Sequence, residues 1–253
     1  MIGLIHKTVR SHLKAAAQTG IHFLMSSNKQ GYFEHRKQTL SSLNSRQLLG
    51  EREVKTLQAM LQIPDKEAFL EGKTVLDLGC GDQYIRGAFE DRGASYRGLD
   101  IDECDLEAQV FPVLSDSQDI VVCLALIEHM YDPGNFLAET LRVLKTGGLL
   151  WLSTPDIEAC GAKFWNDPTH VHPYTRASIK TLLLMNGFAD VLVTPNYRCK
   201  PMYHYRDTDL NFLRARFLLP FAGTSRLVVP EWIKGHCTGL FALAKKAEMG
   251  SVT

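Results

Sequence analysis

The chain has 253 residues, 45% hydrophobic and 22% charged, and its acidic and basic side chains cancel to a formal net charge of zero. That length suits one large α/β domain with additions better than two full domains, and the neutral total removes any general reason to expect a nucleic-acid partner. The six cysteines (Cys80, Cys104, Cys123, Cys160, Cys199, Cys237) are scattered without a CxxC pair, which argues against a disulfide framework or a cysteine zinc site. The longest apolar run, residues 120–127, falls far short of the roughly 20 residues that span a bilayer. Lys7, Arg10 and Lys14 interrupt the apolar residues at the N-terminus, which therefore lacks the core of a signal peptide. A cytoplasmic location is expected, with a peripheral place at the inner face of a membrane as the alternative.

Ile2, Ile5, Val9 and Leu13 recur at helical spacing with basic residues between them. A second helix is expected over residues 45–61, stopped by Pro64. Together, residues 1–70 read as a helical cap; a basic amphipathic helix on a membrane surface is the alternative. From Lys73 the period changes. Thr74-Val75-Leu76-Asp77-Leu78 is a short buried-strand run ending in glycines, and a helix follows through Ile85, Ala88 and Phe89. Strands are expected at residues 96–100, 119–124 and 148–153, the last entered through Gly147-Gly148, with a helix over 136–144 between the second and third. A helix over 175–185 precedes two closing strands, 189–194 and 239–244.

Such alternation implies a parallel sheet with helices on both faces. Residues 71–195 would form this core, 196–235 an insertion before the last strand, and 236–253 the closing strand and tail. In the insertion, Tyr203-His204-Tyr205-Arg206 suits sugars or phosphates. A nearby Leu/Phe/Arg stripe packs on the domain, with a membrane contact or a homodimer face as the other readings.

Chemistry concentrates at strand ends. Asp77-Leu78-Gly79-Cys80-Gly81-Asp82 closes the first strand, and glycines there let the backbone turn sharply against a ligand. Asp100 ends the next strand about twenty residues on, where an acid can hold ribose hydroxyls. A dinucleotide fingerprint would need a third glycine where Tyr84 stands, and Asp77 would repel phosphates while suiting a cationic amino-acid end.

The second constellation spans residues 165–174 and holds Trp165, Asp167, His170, His172 and Tyr174. His170 or His172 could take a proton at neutral pH, oriented by Asp167. The His-x-His pair with a carboxylate is also a metal-ligand spacing. A third reading has Asp167 and Thr169 capping the turn while the histidines satisfy backbone groups. The base role is preferred and no metal is assigned.

The segment Val75-Leu76-Asp77-Leu78-Gly79-Cys80-Gly81-Asp82 resembles the first motif of class I S-adenosylmethionine-dependent methyltransferases. Residues 119–123 followed by Ile127-Glu128-His129-Met130-Tyr131-Asp132-Pro133 resemble that family's fourth-strand region, and residues 141–148 its turn before the fifth strand. The resemblance covers about residues 73–155 and departs at Gln83, where the family usually has glycine.

It implies a Rossmann-like, seven-stranded, mostly parallel sheet. It also implies S-adenosylmethionine as cofactor, with S-adenosylhomocysteine as product. Gly79, Cys80 and Gly81 would line the methionine part with Asp77 near its amino group. Asp100 would bind the ribose, Ile101 would pack on the adenine, and Leu124 and Ala125 would lie beneath the cofactor. His129 would face cofactor or substrate. The reaction expected is O-methylation of a saccharide or glycan-precursor hydroxyl, since residues 165–174 also resemble a segment of glycan-pathway methyltransferases. The alternatives are N- or C-methylation of another small metabolite, or a non-catalytic cofactor-binding subunit.

Overall fold

The computed structural model describes residues 43–63, 68–197 and 237–247. The helix expected near residues 2–14 and nearly all of the insertion, Tyr203 to Arg206 included, lie outside the described residues. In chain order the elements are α1 (Leu43–Met60), β1 (Thr74–Leu78), α2 (Arg86–Glu90), β2 (Ser95–Leu99), β3 (Gln118–Leu124), α3 (Gly134–Val143), β4 (Leu144–Pro155), α4 (Ile157–Cys160), α5 (Arg176–Met185), β5 (Phe188–Tyr197) and β6 (Cys237–Lys246). Short 3₁₀ turns occupy Ile127–His129 and Gly161–Asn166.

The strands form one sheet in the order β2-β1-β3-β4-β6-β5. The pairs β1–β2, β1–β3 and β3–β4 are parallel, and β6 runs antiparallel between β4 and β5. Side chains alternate between two buried faces, as the two-residue strand period requires. Leu76, Leu78, Val121, Cys123, Leu150 and Leu152 pack on one face with Phe136, Leu137 and Val143 of α3 and Ile179 and Leu183 of α5. Val75, Ile120, Val122 and Trp151 pack on the other with Val54 and Leu57 of α1 and Ala88 and Phe89 of α2. Trp151 stacks on Phe241 of β6 at 5.5 Å between ring centroids.

Among the described residues the sheet has six strands where the resemblance implied seven. The missing strand would come between β2 and β3 in the chain, where residues 100–117 form turns instead. Arg142 and Glu139 of α3 hold that stretch. Glu139 accepts from the Phe111 N–H at 2.8 Å, and Arg142 donates to the Phe111 and Val113 carbonyls. Backbone groups that a further strand would pair are thus satisfied by side chains.

The expected Gly147-Gly148 turn is absorbed into β4 as a bulge: Gln118 pairs with Leu144, but Ile120 pairs with Leu149. At the opposite edge from the strands' C-terminal ends, Asp119 joins three strands. It accepts from the Thr74 N–H and hydroxyl and from the Lys145 ammonium. α5 starts on a reciprocal cap between Thr175 and Ser178. No helix among the described residues is long and apolar enough to cross a membrane.

Candidate active site at the C-terminal edge of the sheet

After β1 the chain moves outward to β2 and then back across β1 to β3, so the loops after β1 and β3 diverge. A crevice at that point is where open α/β sheets bind ligands. The loop after β1 places three residues in left-handed conformation: Gly79 at φ +70°, Gly81 at +52° and Gln83 at +57°. Glycine takes that geometry without strain, whereas Gln83 carries a cost of about 1–2 kcal/mol.

Asp100 fastens the loop to the end of β2. One of its oxygens accepts from the Gly81 N–H at 2.7 Å and the other from the Ile101 N–H at 2.8 Å. Each oxygen keeps lone-pair capacity for a ligand hydroxyl. A Cβ on Gly81 would meet nothing within 4 Å, so the loop faces open space there. Gly98, which the sequence reading passed over, belongs to the same construction. A Cβ on it would lie 2.7 Å from the Cys80 sulfur, so only glycine lets the loop sit down on β2.

Asp77 is placed differently from the expectation of a group at the ligand surface. It is 5% exposed and lies beneath the loop, where the Tyr96 hydroxyl donates a hydrogen bond to it. Burial pushes its carboxyl up to about 7, and the nearby Asp100 adds to the rise. α1 approaches the same loop. Arg46 pairs with Asp82, and Gly50 sits against the Tyr84 carbonyl so closely that a Cβ would be 2.5 Å away. Glu53 of α1 is likewise raised to about 7 by burial. No motif marked α1 as a neighbour of the loop after β1; Gly50 within a helix was the available signal.

The other side of the crevice comes from the β3 end and the segment after α4. Leu124 is half-buried, Ala125 is exposed at φ +53°, and Ile101 is exposed. Leu126 leans against Gly79, whose Cβ would lie 2.9 Å from the Leu126 side chain. Glu128 and His129 follow at once and are buried. Residues 169–172 clamp this turn: the Val171 and His172 N–H groups both donate to the Glu128 carbonyl, at 2.9 and 3.0 Å.

The hydrogen bonds fix the histidine tautomers. His170 Nδ1 lies 2.7 Å from the Phe164 carbonyl and His172 Nδ1 lies 3.1 Å from the Met130 carbonyl. Carbonyls only accept, so both Nδ1 atoms carry the proton. His129 Nδ1 meets the Thr169 carbonyl at 3.1 Å and its hydroxyl at 2.9 Å. That hydroxyl already donates to Asp167 at 2.6 Å, so His129 Nδ1 is a donor too. In each neutral ring the lone pair therefore belongs to Nε2.

The expected grouping of Asp167, His170 and His172 is rearranged. Asp167 accepts from the Thr169 N–H and hydroxyl, capping the turn, and its other oxygen is 3.9 Å from His170 Nε2, beyond hydrogen-bond reach. His170 packs on His129, with ring centroids 4.8 Å apart. His172 lies exposed beside Tyr174, at 5.8 Å between ring centroids.

A family model described as a methyltransferase domain matches residues 32–193. Among curated proteins, the ubiquinone biosynthesis O-methyltransferase of Pseudomonas paraeruginosa is 34% identical over 36% of this chain and 47% of its own length. That of Pseudomonas fluorescens strain SBW25 is 32% identical over the same shares. The chain thus spans about half the length of the curated relatives it matches. A solved S-adenosylmethionine-dependent methyltransferase from Archaeoglobus fulgidus superposes with a TM-score of 0.54 at 20% identity, over 77% of this chain and 94% of that one. One from Mesorhizobium loti gives 0.52 at 18%, over 74% and 94%. These similarities establish the fold.

Proposed function

The chain belongs to the methyltransferase-domain family, and from that premise we propose that it transfers a methyl group from S-adenosylmethionine to a hydroxyl oxygen of a small molecule, with a saccharide or glycan precursor as the preferred acceptor. The observation that carries this reading is the contact of Leu126 with Gly79, which brings the donor loop and the histidine cluster to one edge of the sheet. Oxygen is favoured as acceptor atom because the curated relatives are named for O-methylation. A sugar is favoured because Trp165, 56% exposed and edge-on to Phe164, offers an aromatic face beside the histidines.

When bound, S-adenosylmethionine supplies a methyl group on a sulfonium and leaves as S-adenosylhomocysteine. Gly79, Cys80 and Gly81 would hold its methionine part, Asp100 the ribose and Ile101 the adenine, with Leu124 and Ala125 beneath. Asp77 would act on the amino group from below the loop. His172 is the best-placed base: Met130 fixes its ring, its Nε2 holds the lone pair, and its exposure lets it release the proton to water. The fold's main contribution is alignment of donor and acceptor. Residues 1–70 as cap and 196–235 as substrate contact complete the proposal, with residues 71–195 and the strand of 236–253 as the donor-binding core.

Calorimetry with S-adenosylmethionine and S-adenosylhomocysteine tests the donor. A folded, cofactor-free sample that binds neither would overturn the reading. A screen of glycans, nucleotide sugars and phenols with labelled methyl donor then tests the acceptor; labelling of amines alone would refute oxygen. His172→Gln should lower turnover about a hundredfold or more, with donor affinity retained.

A further inference from the structure

We propose that Glu128, His129 and His170 form a binding site for a divalent transition-series cation, open on one side to the acceptor. One ligand atom from each of the three residues lies within 4.8 Å of the other two. Bonds of about 2.0–2.2 Å to a shared ion require separations of roughly 3–3.5 Å, so the cluster closes with about an ångström of side-chain movement.

The orientation of the rings favours coordination. His129 and His170 both direct Nδ1–H at backbone carbonyls, those of Thr169 and Phe164, at 3.1 and 2.7 Å. That leaves the Nε2 lone pairs as the ligating ones, in the arrangement by which proteins fix metal-bound imidazoles. The backbone is held as well, through the two N–H groups of Val171 and His172 on the Glu128 carbonyl. Groups 40 residues apart are thereby brought together.

Glu128 is 1% exposed. His170 keeps 12% side-chain exposure, so the cluster borders solvent instead of being sealed in the core. Two imidazoles and one carboxylate suit zinc, manganese, iron or cobalt better than calcium or magnesium. Three protein ligands also leave coordination positions open, as at catalytic metal sites. The site differs from the His-x-His spacing visible in the sequence, because Met130 holds His172 elsewhere and Thr169 occupies Asp167.

The role of the cation rests on the methyl-transfer reading. The acceptor hydroxyl oxygen would coordinate the ion, which lowers its pKa, and its proton would leave to His172 or water. The oxygen then bonds to the methyl carbon as the carbon–sulfur bond breaks and its electron pair stays on sulfur. Nothing is oxidised or reduced.

Binding is tested without turnover. The full chain, freed of metal by a chelator and dialysed, is titrated with Zn²⁺ and with Mn²⁺ by calorimetry, and with Co²⁺ by visible absorption. One cation per chain is expected. His170→Gln and Glu128→Gln should each weaken Zn²⁺ binding about tenfold or more, while donor affinity of His170→Gln stays within about threefold of the parent. Lack of saturable one-to-one binding by the parent chain would overturn the proposal, even if a variant misfolds. Equal Zn²⁺ affinity in a folded His170→Gln would do the same. Failure to bind S-adenosylmethionine would instead sink the methyl-transfer reading, and the metal titration would be read independently of it.

Discussion

Replacing Asp77 by Asn separates what this carboxylate does for the fold from what it does for the ligand. Asp77 is 5% exposed, and burial pushes its carboxyl from an ordinary 3.8 to about 7. One pKa unit corresponds to about 1.4 kcal/mol, so ionising it within the folded chain costs about 4 kcal/mol relative to an exposed carboxylate. The folded pKa lies above the unfolded one. Its contribution to stability is therefore fully present below about pH 4 and is lost as pH rises through about 7. Between pH 5 and pH 8 the parent chain should lose about 3 kcal/mol that Asp77→Asn does not lose. Urea unfolding at both values measures the difference. Asn still accepts the Tyr96 hydrogen bond, so the local packing survives the exchange. The same variant should bind S-adenosylmethionine about 10–100-fold more weakly at pH 7.5, because a charge-assisted interaction of about 1.5–3 kcal/mol is gone. Parallel stability curves for the two chains would refute the assignment of a buried, high-pKa carboxyl. Unchanged donor affinity would refute its role towards the amino group.

Gln83→Gly relieves a left-handed side chain at φ +57° and should stabilise the chain by about 1 kcal/mol in urea unfolding. Donor affinity should stay within about threefold, and a larger loss would mean that the Gln83 side chain holds the ligand. Gly98→Ala puts a methyl group 2.7 Å from the Cys80 sulfur; it should cost about 1–3 kcal/mol and weaken donor binding. Unchanged stability and affinity would show that the loop has slack. At Asp119 burial favours the neutral acid, but Lys145 and Thr74 outweigh it and hold the carboxyl at about 2. Its stabilising contribution is present above about pH 4 and is lost as pH falls through about 2. Asp119→Asn should therefore cost about 2 kcal/mol at pH 7. Equal urea midpoints there would contradict that ion-pair network.

The loop after β1 was legible because it is written in contiguous residues. The run from Thr74 to Leu78 has one buried side chain after another, and the glycines after it coincide with φ values of +70° and +52°. Asp100, expected at the end of the second strand, accepts there from the Gly81 N–H. The strand count was not legible in the same way. Whether residues 100–117 pair or turn depends on Arg142 and Glu139, which supply hydrogen bonds from another helix.

Of the readings open for residues 165–174, the fold follows the one in which Asp167 caps the turn and the histidines meet backbone carbonyls. His170 and His172 share a face only on an extended strand, and residues 169–172 instead wrap around the 3₁₀ turn of residues 127–129. Which histidine joins which is decided by the carbonyls of Phe164, Met130 and Thr169, and no side-chain pattern reports where a carbonyl points. Asp167 followed the local rule for a short acid before Thr, accepting from the N–H two residues on, and so was not available to orient a base. The fold selected His129 as the companion of His170, from a segment far earlier in the chain. On the proposed reading the chemistry of this edge turns on the Glu128–His129 pair. The resemblance gave His129 a place facing cofactor or substrate and gave Glu128 none; the clamp of residues 171 and 172 on the Glu128 carbonyl arises only in the folded chain.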